Sequence, residues 1–215
     1  MANETVKIEE TVSKTDQFYT EHKKTIWTIT CCVLVVALGI FAYQKLVYQP
    51  KCAEASQQAF PAEQLFNDGE YELALNGDGD VTGLAEVIDR YGAKAGEAVY
   101  MEAGVCALQL GDFEKALDYL GKYGGKEPIL AARAVACQGD AYAGLEKYPE
   151  AIAAYRKAAG MADNVFAAAY LLKAGILCEQ QGDKAGALAL YQTIKDKYPQ
   201  SSEASEIDKY ITRAE

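Results

Sequence analysis

The residues able to do chemistry in this 215-residue chain are few. Asn76-Gly77-Asp78-Gly79-Asp80 sets side-chain oxygens at alternate positions, as a hard cation such as calcium requires. A calcium loop of the EF-hand kind counted from Asn76 needs glycine at its sixth position and glutamate at its twelfth. Those places hold Val81 and Val87, so the run reads as a plain loop. Gly124-Gly125-Lys126 lacks the spacing of a phosphate-binding loop and follows a helical pattern, not a strand, so it reads as a turn. His22 is the sole histidine, which removes His-based triads, Cys–His pairs and His-ligated metals from everything after it. The cysteines, Cys31, Cys32, Cys52, Cys106, Cys137 and Cys178, form no CxxC pair; the last three read as small buried residues in helices. We expect no catalytic residue, no metal site and no cofactor, and a protein that is not an enzyme.

Charge narrows the partners. Five acids and four bases precede residue 25, and beyond Lys45 there remain 26 acids against 16 bases. A domain this acidic repels nucleic acid and anionic headgroups at long range. The expected partners are proteins, with no nucleic acid among them.

What positions these residues begins with Thr25–Gln44, twenty residues without a charge. At ~1.5 Å of rise per residue, such a helix spans about 30 Å, the thickness of a bilayer's hydrocarbon core. Trp27 lies near one end and Tyr43 and Tyr48 near the other, as in an aromatic belt. A cleaved signal peptide fits less well: the preceding head is long and acidic, the apolar run exceeds the usual length, and no small-x-small site follows in FAYQKLVYQPK. The expectation is a polar head (1–24), flexible or forming a short surface helix, and a transmembrane helix (25–48). Three lysines within reach before it, Lys23 and Lys24 at the boundary, against Lys45 and Lys51 after it, lean toward a cytoplasmic head. That orientation puts the protein in the inner membrane with its C-terminal domain in the periplasm.

From residue 49 onward the apolar positions recur at helical spacing, and a pattern repeats. Gly104, Ala107, Gly111, Ala116 and Leu120 return as Gly139, Tyr142, Glu146, Ala151 and Tyr155, then as Gly175, Cys178, Gly182, Ala187 and Tyr191, at intervals of 35 and 36 residues. Each unit reads as a helix with a glycine, a Gly-Asp-type turn and a second helix. Gly104, Gly139 and Gly175, with Ala116, Ala151 and Ala187 opposite, let the paired helices lie close. The fold class is all-α, with the transmembrane helix followed by an irregular unit (49–96), repeats at 97–131, 132–167 and 168–201, and a capping helix at 202–215.

LQLGDFEKALDYL (108–120), EKYPEAIAAYRKA (146–158) and QQGDKAGALALYQ (180–192) resemble the tetratricopeptide repeat (TPR). Departures from that pattern are Glu146 in place of the turn glycine, Asp163 in place of proline, and Lys184 in place of an aromatic. The resemblance implies a curved stack of helical hairpins whose first helices line a peptide groove. Mapped onto this chain, the groove residues are Ala98, Met101, Val105, Leu108 and Gln109, then Arg133, Ala136 and Asp140, then Ala169, Leu172, Ile176 and Glu179. These residues equally suit core contacts with the first unit or with another subunit. With Arg133 as the only base among them, a clamp for an acidic chain terminus is disfavoured.

The order of head, span, LALNGDGD break and repeats ending in YPQSSEASEIDKYITRA resembles the membrane-anchored TPR proteins of Bacteroidetes, similar in layout to the YfgM-like ancillary subunit of the SecYEG translocon. This implies a periplasm-facing adaptor or chaperone-like subunit, with translocon subunits, exported clients or periplasmic chaperones as partners and a homo-oligomer possible. The alternative is a structural scaffold of an envelope complex, of the Tol-Pal or outer-membrane assembly type.

Overall fold

The computed structural model describes residues 2–215, except for the side chains of residues 2–18 and of Ala162. The protein is all-α: one long apolar N-terminal helix, then a helical repeat region. The chain divides into two units, residues 1–51 and 52–215.

In the first unit, α1 runs from Ala2 to Tyr43 and a π-helical turn follows at Gln44–Tyr48. The head therefore shares one helix with the apolar run, rather than forming a separate segment. No proline or glycine occurs before Gly39 to break it; the head's side chains up to residue 18 lie outside the described residues. The apolar stretch has no buried residue, and Trp27, Val33, Val35, Leu38 and Phe41 are all exposed. The helix is long and apolar enough to cross a membrane. Two of its hydroxyls are satisfied internally, Thr28 Oγ1 donating to the Lys24 carbonyl at 2.8 Å and Thr30 Oγ1 to the Ile26 carbonyl at 2.9 Å.

The second unit, which opens within α2 (Gln49–Asn67), is a run of helical hairpins that continues with α3 (Tyr71–Asn76), α4 (Leu84–Tyr91), α5 (Glu97–Gln109), α6 (Phe113–Gly121), α7 (Pro128–Gly144), α8 (Tyr148–Ala162), α9 (Val165–Gln180), α10 (Lys184–Lys197) and α11 (Ile207–Ala214). The pairs α5/α6, α7/α8 and α9/α10 fall within 97–131, 132–167 and 168–201, save that α7 and α9 begin a turn earlier. The cap differs from its expected span of 202–215. A short 3-10 turn occupies Glu203–Ser205, and α11 begins only at Ile207, whose side chain is 1% exposed.

One backbone turn is used four times. Gly69, Gly111, Glu146 and Gly182 all have positive φ, from 58° to 83°. In each case the next residue's N–H reaches back five residues to a carbonyl, as from Lys147 to Tyr142 (2.9 Å) and from Asp183 to Cys178 (2.8 Å). This is the Schellman closure of a helix C-terminus. The worn first unit thus keeps the repeat's turn at Gly69, and Glu146 adopts it against the preference of an L side chain. Asp112 and Asp183 then cap the second helices through the N–H groups of Lys115 (3.3 Å) and Gly186 (2.8 Å).

Across each hairpin a bulky side chain lies on the first helix's glycine. A Cβ on Gly104 would stand 2.6 Å from Leu120 Cγ and one on Gly139 would stand 2.7 Å from Tyr155 Cε1; Gly175 faces Tyr191 in the same way. Ala74, Ala116, Ala151 and Ala187, on the second helices, are fully buried. Two apolar clusters result, one over α2 to α7 and one over α7 to α11.

The Asn76–Asp80 run is a closed loop. The Asp78 carboxylate accepts from the N–H groups of Asp80 (3.1 Å) and Val81 (3.0 Å), which hold it below its ordinary range, the Val81 bond first. Gly83 packs directly on the backbone of residues 75–77, where any Cβ would clash.

Two contrasting substitutions test the packing and the turn. Gly139→Ala is expected to destabilise the repeat unit by about 1–3 kcal/mol, since the methyl has no room under Tyr155. Glu146→Gly is expected to stabilise it by about 1 kcal/mol by relieving the left-handed conformation. Urea unfolding of each variant, followed by circular dichroism, measures both.

Candidate protein-binding groove

The first helices of the three regular hairpins, α5, α7 and α9, bring their side chains to a common hollow of about 470 Å³. Val105, Leu108 and Gln109 come from α5, Leu130, Arg133 and Asp140 from α7, and Phe166, Tyr170 and Lys173 from α9. Within each helix these residues recur at helical spacing (105, 108 and 109; 130, 133 and 140; 166, 170 and 173), so they share a face. Glu127 caps α7 by accepting the Leu130 N–H (2.8 Å), and Asn164 caps α9 by accepting the Phe166 N–H (3.0 Å), so the apolar groups at the mouth stand on fixed first turns.

Solvent reaches these apolar groups. Ile129 is 42% exposed, Leu130 46% and Phe166 53%. Their convergence on one concavity sets them apart from scattered surface leucines. A second hollow of about 420 Å³ continues from the first across Val105, Leu130 and Arg133, and adds Phe66, Met101, Glu102 and Tyr123.

The polar groups of the first hollow are organised from beneath. Asp140 accepts from Lys173 Nζ and from the Tyr155 hydroxyl, each at 2.6 Å, and the lysine ammonium lies 5.6 Å from the Tyr155 ring centre. Burial, then the Asp140 bond, pushes the Tyr155 phenol far above its ordinary value, so it remains a donor. Cys137 beside it is pushed up by burial and remains a thiol. Among the described residues Arg133 forms no ion pair.

The structure thus places Met101, Val105, Leu108, Gln109, Arg133 and Asp140 along the two hollows. Leu172, Ile176 and Glu179 line neither. Leu172 packs against the second apolar cluster, Ile176 is half-buried, and Glu179 is taken up by the cap. Arg213 Nε of α11 donates to Glu179 Oε1 at 3.0 Å, and the Tyr191 hydroxyl donates to Glu179 Oε2 at 2.8 Å. On α9 the groove is reached instead by Phe166, Tyr170 and Lys173, one residue round from the mapped Ala169 and Leu172. Repeat spacing carries no sign of which flank of a helix faces its neighbour. Phe166 and Leu130 do correspond by that spacing, and an exposed apolar residue at both first turns was the available signal.

Asp163, the departure at the end of the second repeat, has φ 37° and caps α8. It accepts from Lys197 and from the Tyr198 hydroxyl (2.9 Å), which lower its carboxyl below the usual range, Lys197 first. These bonds join two successive hairpins at a position where the TPR pattern has proline.

The Arg213 bond is the first cause holding the Glu179 carboxyl below its ordinary range. A depressed folded-state value contributes stability that is present above the ordinary carboxylate range and lost as pH falls through the lowered one. Arg213→Met should therefore cost about 0.5–1 kcal/mol at pH 7, and the gap to the native chain should close in acid. Thermal unfolding from pH 7 to pH 3 reads this directly.

Compared with known proteins, residues 138–202 match a family model described as the tetratricopeptide repeat, covering the end of α7 through α10. No curated protein matches the chain. The matched segment contains the Gly139–Tyr155 and Gly175–Tyr191 interlocks and two of the four turns, so the part of the chain most regular in structure is the part similar to that family.

Proposed function

We propose that this protein is a membrane-anchored protein-interaction module. In this reading, α1 holds the chain in a bilayer and the α5–α7–α9 groove captures a partner polypeptide. The observation that carries it is the exposed apolar rim of Ile129, Leu130 and Phe166 around a hollow whose acid, Asp140, is already paired with Lys173 and Tyr155. The tetratricopeptide match over 138–202 supports protein binding as the general role.

The finer reading is that of a periplasm-facing adaptor or chaperone-like subunit at the Sec translocon of the inner membrane, meeting exported chains or their chaperones. It rests on the order of head, single apolar helix and repeats, and on the lysines before the apolar run. An apolar groove with an acidic surround suits clients presented unfolded or as amphipathic helices, because apolar area supplies affinity while like charge keeps anchored copies apart.

In-cell photo-crosslinking from positions 108 and 130 tests both levels. Translocon subunits together with many exported chains are expected. A single stoichiometric envelope protein would favour the scaffold alternative, and cytosolic proteins alone would contradict the orientation. The double substitution Leu130→Glu and Phe166→Glu is expected to reduce the trapped material at least tenfold with helicity unchanged, since both side chains already face solvent. Capture at the native level in that variant would contradict the groove reading.

A further inference from the structure

The second hollow carries a feature that client capture by apolar contact alone does not use. Its wall is built of Phe66 from α2, Met101 from α5 and Tyr123 from the loop after α6. Into that apolar setting α5 also brings Glu102, and one of its carboxylate oxygens, Oε2, is buried with no hydrogen-bond donor from any described residue. Glu97, the other acid of the hollow, is used internally: its carboxylate accepts the Gly124 N–H. Arg133, on the α7 wall, forms no ion pair with either acid. A desolvated carboxylate without a partner is costly for the free protein, and a cation delivered from outside would remove that cost.

We propose that the hollow between α2, α5 and α7 receives a lysine or arginine side chain of the bound polypeptide, the cationic head pairing with Glu102 and its alkyl stem lying along Phe66, Met101 and Tyr123. The proposal rests on the groove reading and adds the chemistry of the occupant: a basic residue flanked by apolar ones. Charge complementarity sets this choice. An acidic segment would meet Glu102 and Glu97 in the hollow, with the charge of Glu63 of α2 close to Glu102, whereas a basic one meets these acids and one base, Arg133. The rings add attraction to a cation, and the thioether and ring faces accommodate a methylene chain.

Protonation follows from the same geometry. Burial first, and then the neighbouring Glu63, hold the Glu102 carboxyl up at about 7. Glu63 is itself raised by burial and titrates in the same sense. Two other groups near the site keep their state near neutrality: burial pushes the Cys106 thiol up to about 12, and burial also raises the Tyr123 phenol. Docking of a cation therefore draws a proton off Glu102, and affinity should rise with pH through neutrality.

The probe is a phage-displayed random dodecapeptide library, selected at pH 7.8 on the full chain in lipid nanodiscs and counter-selected against Leu130→Glu. Enriched peptides should carry Lys or Arg beside apolar residues. By fluorescence anisotropy, such a peptide should bind about tenfold more weakly at pH 6 than at pH 8, as expected for one carboxyl titrating near 7. Glu102→Gln should abolish that dependence, and replacing the peptide's basic residue by norleucine should do the same on the native chain, where no variant has to fold. Three results would overturn the proposal. Leu130-dependent peptides without a basic residue would do so while leaving the groove reading intact. Enrichment of acidic residues would do the same. Absence of any Leu130-dependent peptide would sink both.

Discussion

The closeness of the two helices in each hairpin is the constraint on which the rest of this structure depends. Gly104, Gly139 and Gly175 leave open the space that Leu120, Tyr155 and Tyr191 fill, and the buried alanines of the second helices close the opposite wall. With packing this tight, a single added methyl has nowhere to go. The separation of the helices is thereby fixed to within a methyl group, and so is the spacing of successive first helices along the stack.

In the last two hairpins the interlocking residue does more than fill space. Tyr155 crosses beneath Gly139 and delivers its hydroxyl to Asp140, and Tyr191 passes Gly175 and delivers its hydroxyl to Glu179. Each first-helix acid is thus held by the buried ring of its own second helix, then paired with a cation from further along the chain, Lys173 or Arg213. The two sites diverge in use. Asp140 forms part of an open floor, whereas Glu179 is tied to the terminal helix. With Asp140 engaged from beneath, the groups that the hollow turns to solvent include the apolar rim of Ile129, Leu130 and Phe166.

Much of this was legible in the sequence, for definite reasons. The glycine and alanine positions follow from the 35- and 36-residue intervals, because close packing tolerates no alternative, and the turn residues Gly111, Glu146 and Gly182 recur on the same intervals. The head was misjudged because polarity was weighed where the absence of helix breakers mattered. Of the residues mapped from the repeat, those on α5 and α7 line the two hollows and those on α9 lie one residue round from them, since repeat equivalence cannot say which flank of the final helix meets a neighbour and which meets a cap. Glu102 was passed over because its setting includes Glu63 and Phe66, residues of the irregular first unit that no repeat pattern positions.

An exposed apolar rim in the free protein implies that the same rim is covered where the protein works. The most direct measurement is maleimide reactivity of single cysteines placed at 130 and 166 in a background without native cysteines, compared between intact membranes and purified protein. Positions 114 and 150, exposed on the second helices, serve as references. The account predicts that 130 and 166 are protected in membranes and become reactive on purification while the references react equally in both. Equal reactivity at 130 and 166 in membranes and after purification would contradict it.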